Sequence, residues 1–205
     1  MKLLVATRNE GKAREVRALF AGLPFQLVFP ADQFLERLPE EADLERGTSF
    51  AENAVAKARY FGKRSGMPTL AEDSGLEVDA LDGAPGVFSA RWAQMHGAGT
   101  GDAANNRLLL ERLGDRPDDG RAARYRCVVA YLETPIGKPQ LVEATCEGRI
   151  LTAPRGNGGF GYDPLFFSPE LDMTFAEAPL AAKARVSHRG RAIRALIEVL
   201  VRRSP

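Results

Sequence analysis

Leu3-Leu4-Val5-Ala6-Thr7-Arg8-Asn9-Glu10-Gly11-Lys12 sets the frame for the rest of the chain. Leu3 to Ala6 is short, continuous and apolar, which reads as a buried strand. Thr7 to Lys12 reads as a polar turn, and Ala13, Val16, Leu19 and Phe20 then fall on one face of a helix. Outward from this strand–turn–helix unit, Phe25–Phe29 reads as a second strand and the acidic Pro39–Gly47 as a loop. Ser49-Phe50-Ala51-Glu52 has the form of a capping box and predicts a helix with Phe50, Ala54, Ala58 and Phe61 facing inward. Gly66 and Pro68 stop that helix, and Thr69–Ala71 is a short strand running into Glu72-Asp73-Ser74-Gly75.

Gly97–Gly101 reads as flexible, with Asp102 capping a helix through Leu113, and Asp115–Gly120 as a connector. Arg124–Leu132 and Gln140–Glu147 predict a hairpin around Glu133–Pro139. Gly156–Pro164 reads as a glycine-rich loop. The last helix starts near Ser187 and carries Ile193, Leu196, Ile197 and Leu200 at helical spacing. Early alternation of strands and helices followed by a hairpin predicts a mixed α/β sheet.

The 205 residues suit one domain or two closely joined lobes, and 44% hydrophobic with 27% charged residues is ordinary for a globular chain. Lysine and arginine total 28 against 27 acids, so the net charge of +1 supplies no global field for nucleic acid or an acidic membrane. A phosphate ligand therefore needs a local cluster of cations. Cys127 and Cys146 are not a secreted disulfide framework, and the first apolar run is too short for a signal peptide or membrane span, so a cytoplasmic location is expected. Counted about the middle of the predicted hairpin, the two cysteines come nearly opposite each other, as reduced and catalytically inert neighbours.

Several segments can carry chemistry. The amino end of the first helix offers free amides to a phosphate, with Lys12 adding a cation and Thr7 and Asn9 adding donors, although the segment lacks the glycine and Ser/Thr of a P-loop. The alternative is a plain polar turn. Asn53 and Lys57, four apart, share a helix face and read either as a solvated flank or as a second phosphate-binding arm. Glu72 and Asp73 end a short apolar strand, where open α/β sheets place ligands; they could hold magnesium and take a proton from water, or merely sit in an Asp-Ser-Gly turn. Gly156-Asn157-Gly158-Gly159-Phe160-Gly161 matches G-x-G-x-x-G, but Pro164 follows too soon for a dinucleotide fingerprint. What remains is exposed backbone, the Phe160 ring and the Asp163 acid, suited to stacking on a base and bonding its edge, or to plugging a core. Lys183, His188 and Arg189 supply donors near the last helix; those of His188 or Arg189 would favour a 6-oxo purine over adenine, the alternative being a solvent-exposed histidine.

In order, Thr7–Lys12, Ser49-Phe50 with Asn53-Ala54 and Lys57-Ala58, Glu72–Leu76, Pro85-Gly86 with Ser89-Ala90-Arg91, Phe160–Pro164 and Ser187-His188-Arg189 resemble the inosine triphosphate pyrophosphatase family. The resemblance spans residues 7 to 189 and rests on six motifs in family order. It implies one two-lobed α/β domain over the whole chain, with a mixed twisted central sheet, flanking helices, an active site in the cleft between lobes, and a homodimer. It further implies hydrolysis of non-standard purine nucleoside triphosphates (ITP, dITP, XTP) between the α and β phosphates, with magnesium as cofactor and manganese as the alternative. Asp73 would be the general base and a metal ligand. Thr7, Arg8, Asn9, Glu10, Gly11, Lys12, Asn53, Lys57 and Ser74 would hold the triphosphate. Phe160, Gly161, Tyr162, Asp163, Lys183, His188 and Arg189 would hold the base and ribose. One position departs from the pattern: Leu44 stands where relatives carry a metal-binding glutamate, so the flanking Glu45, rather than Asp43, is expected to replace it. Two other readings are a septum-inhibitor (Maf) type pyrophosphatase acting on other nucleotides, and a non-catalytic nucleotide- or RNA-binding module.

Overall fold

In the computed structural model, which describes residues 1–203, a seven-stranded mixed sheet runs in the order β2-β1-β3-β4-β5-β6-β7. The strands are β1 (Lys2–Val5), β2 (Gln26–Val28), β3 (Thr69–Val78), β4 (Ala122–Leu132), β5 (Gln140–Ile150), β6 (Phe166–Ser168) and β7 (Met173–Thr174). The helices are α1 (Glu10–Leu19), α2 (Phe50–Ser65), α3 (Trp92–Met95), α4 (Gly101–Leu113), α5 (Leu180–Val186) and α6 (His188–Arg203). β1 pairs in parallel with both β2 and β3, whereas β5–β6 and β6–β7 are antiparallel, so the expected mixed α/β class holds.

The chain divides into two compact units. One comprises Met1–Asp73, Cys127–Ala144 and the chain from Arg189 onward; the other comprises Ser74–Arg126 and Thr145–His188. In the first, Leu3 and Val5 of β1, Ala13 and Val16 of α1 with Phe20 just beyond it, Val129 and Tyr131 of β4, and Ile193 and Leu196 of α6 share one core. Alternate residues of the short parallel strands supply it, as the period of two requires. In the second, Leu76 and Val78 of β3 pack with Leu108, Leu109 and Leu113 of α4 and with Phe166 and Phe175. Among the described residues no helix is long and apolar enough to cross a membrane.

Several local expectations need correction. β3 does not end at Ala71: it continues to Val78, so Glu72-Asp73-Ser74-Gly75 is strand rather than turn. The Ser49 hydroxyl caps α2 by accepting from the Glu52 amide, and Glu52 reaches back to the Thr48 amide and hydroxyl as well as to the Ser49 backbone. α4 is capped at Thr100, and Asp102 instead accepts from the Gly161 amide at 2.6 Å. Cys127 and Cys146 are free and buried on adjacent strands, but each packs in a different core, so the expected side-by-side thiols are not formed.

Candidate active site

The unbroken course of β3 decides how the first unit is organised. Adjacent strand residues face opposite sides, and here Asp73 meets α2 while Glu72 meets α1 and α6. Asp73 Oδ1 accepts from Lys57 Nζ at 2.7 Å, and Oδ2 accepts from Asn53 Nδ2 at 2.9 Å. Asn53 and Lys57 are buried (1% and 7% exposed), so they are not a solvated flank of α2. A desolvated ammonium needs anions close by. Burial would lower the Lys57 pKa, but Asp73 and Glu45 together raise it above the usual lysine value. Glu45 Oε1 lies 2.9 Å from Lys57 Nζ, whereas Asp43 pairs on the surface with Arg46.

Lys57 thus stands as a cation between Glu45 and Asp73, the pair expected to hold a metal. Hard carboxylate oxygens in this setting fit magnesium or manganese. Among the described residues no group of three or more His, Cys, Asp or Glu gathers as a metal cage. A magnesium held by these two carboxylates would take its remaining ligands from phosphate oxygens and water, its ordinary habit in phosphate sites.

On the opposite face Glu72, almost fully buried, accepts from Arg189 Nε at 3.0 Å and lies 3.2 Å from Lys12 Nζ. Arg189 Nη1 also donates to Glu15 at 2.5 Å. Burial alone would raise Glu72, but Arg189, Lys12 and Lys57 bring it well below the usual carboxylate range. Cys127, whose thiol points at Glu72, is pushed well up by burial and by that charge. Glu72 therefore faces cations of α1 and α6, away from the Asn53 and Lys57 side chains that hold Asp73. Its partners are the two cations expected to touch substrate, and Glu15 and Glu72 together fix the plane of the Arg189 guanidinium.

The turn into α1 behaves as expected in part. Asn9 caps the helix by accepting from the Lys12 amide at 3.0 Å, and the Thr7 hydroxyl accepts from the Asn9 amide at 3.2 Å. Glu10 is an exposed first-turn acid that suits the helix dipole, and its side chain is unsuited to holding phosphate. Arg8 forks onto Glu41 at 2.6 and 2.8 Å and donates to Leu35 O, so its guanidinium is engaged within the protein.

In the second unit Asp163, 2% exposed, accepts from Lys183 Nζ at 2.5 Å and from the Phe160 amide at 2.8 Å. Gly159 has φ +70°, and a Cβ there would sit 2.0 Å from Asp163 Oδ2, so only glycine lets the loop fold over that carboxylate. Lys183 Nζ lies 5.3 Å from the Phe160 ring centre, and that ring is half-buried. His188 is buried rather than solvent-exposed, and it stacks on Tyr125 with ring centres 4.6 Å apart and planes 10° from parallel. Tyr162 is buried, its hydroxyl donates to Ser89 O at 3.0 Å, and burial raises its pKa. Gly161 is held through its own peptide, its amide donating to Asp102 and its carbonyl accepting from Asn106 at 3.0 Å.

Sequence reasoning missed Glu15, Glu41, Asp102, Asn106 and Tyr125. Glu15 left a signal, being an acid three residues from Lys12 and beside Val16 on the inward side of α1. Glu41 left none within its acidic loop.

The fold is that of a mixed α/β protein, with a half-buried aromatic beside a lysine–aspartate pair in the second unit and β3 carboxylates paired with lysines of α1 and α2 in the first. The model of the Ham1 family matches residues 3–199, and the chain belongs to that family. It is 50% identical over 193 residues to the dITP/XTP pyrophosphatase of Geobacter sulfurreducens, covering 94% of this chain and 92% of the relative. To a dITP/XTP pyrophosphatase of Thermus thermophilus it is 49% identical over 198 residues, covering 97% and 91%. The solved HAM1 protein of Coxiella burnetii superposes with a TM-score of 0.83 at 36% identity, covering 98% of this chain and 99% of that one.

Proposed function

We propose that this protein hydrolyses non-standard purine nucleoside triphosphates, inosine, deoxyinosine and xanthosine triphosphates among them, to the monophosphate and pyrophosphate. The observation that carries the reading is Asp73, oriented by Asn53 and Lys57, with Glu45 reaching the same ammonium. Its relatives' names, dITP/XTP pyrophosphatase, support the same substrate class.

Asp73 takes the proton of the attacking water as its oxygen bonds to the α phosphorus; the α–β anhydride breaks and pyrophosphate leaves. Asn53 and Lys57 aim the carboxylate. Lys57, Lys12, Thr7, Asn9, Ser74 and the first-turn amides of α1 hold the triphosphate. Magnesium, or manganese in its place, held by Asp73 and Glu45 would neutralise phosphate charge as it builds. Phe160 stacks on the base and Asp163 with Lys183 fixes the nucleoside. His188 and Arg189 supply the donors that favour a 6-oxo group, and an amino group facing them leaves desolvated donors unpaired. We place the working form in the cytoplasm as a homodimer.

Pyrophosphate release measured with magnesium across inosine, adenosine and pyrimidine triphosphates tests the reading. Fast turnover of inosine triphosphate alone supports it. Preference for pyrimidines would favour the Maf type, and binding without turnover a nucleotide-binding module.

A further inference from the structure

The connection from β2 to α2 buries Phe29 and Pro30 at its start, and none of residues 31 to 49 is buried. No core fixes this segment, so its polar contacts decide where Glu45 sits. Glu41 makes the strongest of them. Its side chain is 7% exposed and lies between two arginines from different elements: Arg8 at 2.6 and 2.8 Å from the turn after β1, and Arg64 at 3.3 Å from the end of α2. Glu41 also accepts from the Leu38 amide at the start of the 3-10 helix Pro39–Asp43, and Arg8 donates to Leu35 O at 2.8 Å. The two arginines hold Glu41 below the usual carboxylate range against its partial burial.

The segment's far end is fixed at Gly47, whose amide donates to Asn53 Oδ1 at 2.8 Å. A Cβ on Gly47 would lie 2.6 Å from that oxygen, so the approach requires glycine. Asn53 gives its other end to Asp73, which makes one amide the link between the segment and the base. Glu45 lies between these two anchors, with its side chain 40% exposed.

We propose that Glu41, clasped by Arg8 and Arg64, is a positioning residue that sets the Glu45 carboxylate opposite Asp73, and that Arg8 acts through this clasp rather than on phosphate. The inference rests on the reading of Glu45 as a metal ligand given above. Bidentate arginine–carboxylate pairs fix geometry as well as charge, and in a stretch with no buried residue this clasp works with the Lys57 and Asn53 contacts to return Glu45 to one place. The clasp also explains how a glutamate one position from the family's usual site can serve: the loop is pinned four residues before it and two after it.

The test measures Mn2+ binding to nucleotide-free protein by the electron paramagnetic resonance of the free ion, alongside magnesium half-activation and KM for inosine triphosphate. Wild type, Glu41→Gln, Arg8→Gln, the double variant and Arg64→Gln are compared, with thermal unfolding as the check on folding. Each of the first two single variants should raise the half-saturating metal about 10-fold, the lower end for lost outer-shell partners. The double variant should be no worse than either, and Arg64→Gln, whose contact to Glu41 at 3.3 Å is longer than those of Arg8, should move it less. Turnover of Glu41→Gln at saturating metal should stay within about twofold of wild type, since outer-shell loss acts on metal affinity. If Glu41→Gln does not fold, Arg64→Gln carries the comparison, and unchanged Mn2+ binding there would overturn the clasp. So would wild-type Mn2+ binding by Glu41→Gln, or a raised KM confined to Arg8→Gln. Failure of wild type to bind Mn2+ or to hydrolyse inosine triphosphate would instead reject the underlying function.

Discussion

Arg189→Met tests the buried ion network. The change keeps the bulk of the stem and deletes a guanidinium that meets Glu72 at 3.0 Å and Glu15 at 2.5 Å. All three side chains are almost fully buried, so solvent cannot replace the lost cation. Removing one partner of a buried pair costs about 3–5 kcal/mol, because the other charge is left uncompensated. Lys12, 3.2 Å from Glu72, relieves part of this, which favours the lower end. For a chain of this size each kcal/mol moves the melting temperature by about 2–4 °C, so a drop of about 6–12 °C is expected at pH 7.5. The pH dependence gives a second check. In wild type Glu72 is depressed when folded, so its contribution is present above the ordinary carboxylate pKa and lost as pH falls through the folded value. Without Arg189, burial dominates and Glu72 rises, so lowering the pH from 7.5 to 5 should narrow the gap between variant and wild type. Thermal unfolding followed by circular dichroism at both pH values reads this directly. A drop under about 2 °C at pH 7.5, or a gap that widens on acidification, would refute the network's role.

Other consequences follow from the same contacts. Asp73→Asn should lower turnover about 10²–10⁴-fold with the fold intact, and a variant keeping more than a tenth of wild-type kcat would reject Asp73 as the base. Glu45→Gln should raise the magnesium needed for half activity, whereas Asp43→Asn, whose residue pairs only with Arg46 on the surface, should not; equal midpoints for Glu45→Gln and wild type would remove Glu45 from the site. Cys127→Ala with Cys146→Ala should leave activity unchanged, since both thiols are buried as free cysteines; lost activity in a folded double variant would contradict that.

Much of the fold is legible in the sequence because it depends on local rules. The apolar run Leu3–Ala6, the capping signal at Ser49 and the left-handed glycine at Gly66 place β1 and α2 to within a residue or two. β3 reads too short because Glu72-Asp73-Ser74-Gly75 is poor strand sequence; ion partners from α1, α2 and α6 hold it extended, and such partners cannot be counted from local propensity. The same blindness makes Asn53 and Lys57 look solvated. Their burial depends on Asp73, twenty and sixteen residues away. Arg8 and Tyr162 point to ligand by their place in motifs, yet both have partners inside the protein, Glu41 and Ser89, that only folding brings near. Asp163 and Lys183, by contrast, do come together as grouped, because the glycine-rich loop leaves little else for an acid beside Phe160 to do.

The central claim is hydrolysis between the α and β phosphates by a site built on Asp73. Its most direct test is the product ratio from deoxyinosine triphosphate with magnesium, resolved chromatographically for wild type and Asp73→Asn. Wild type should give one deoxyinosine monophosphate and one pyrophosphate per turnover, the variant nearly none, and deoxyadenosine triphosphate should react little. Deoxyinosine diphosphate with orthophosphate, or equal rates on both nucleotides, would contradict it.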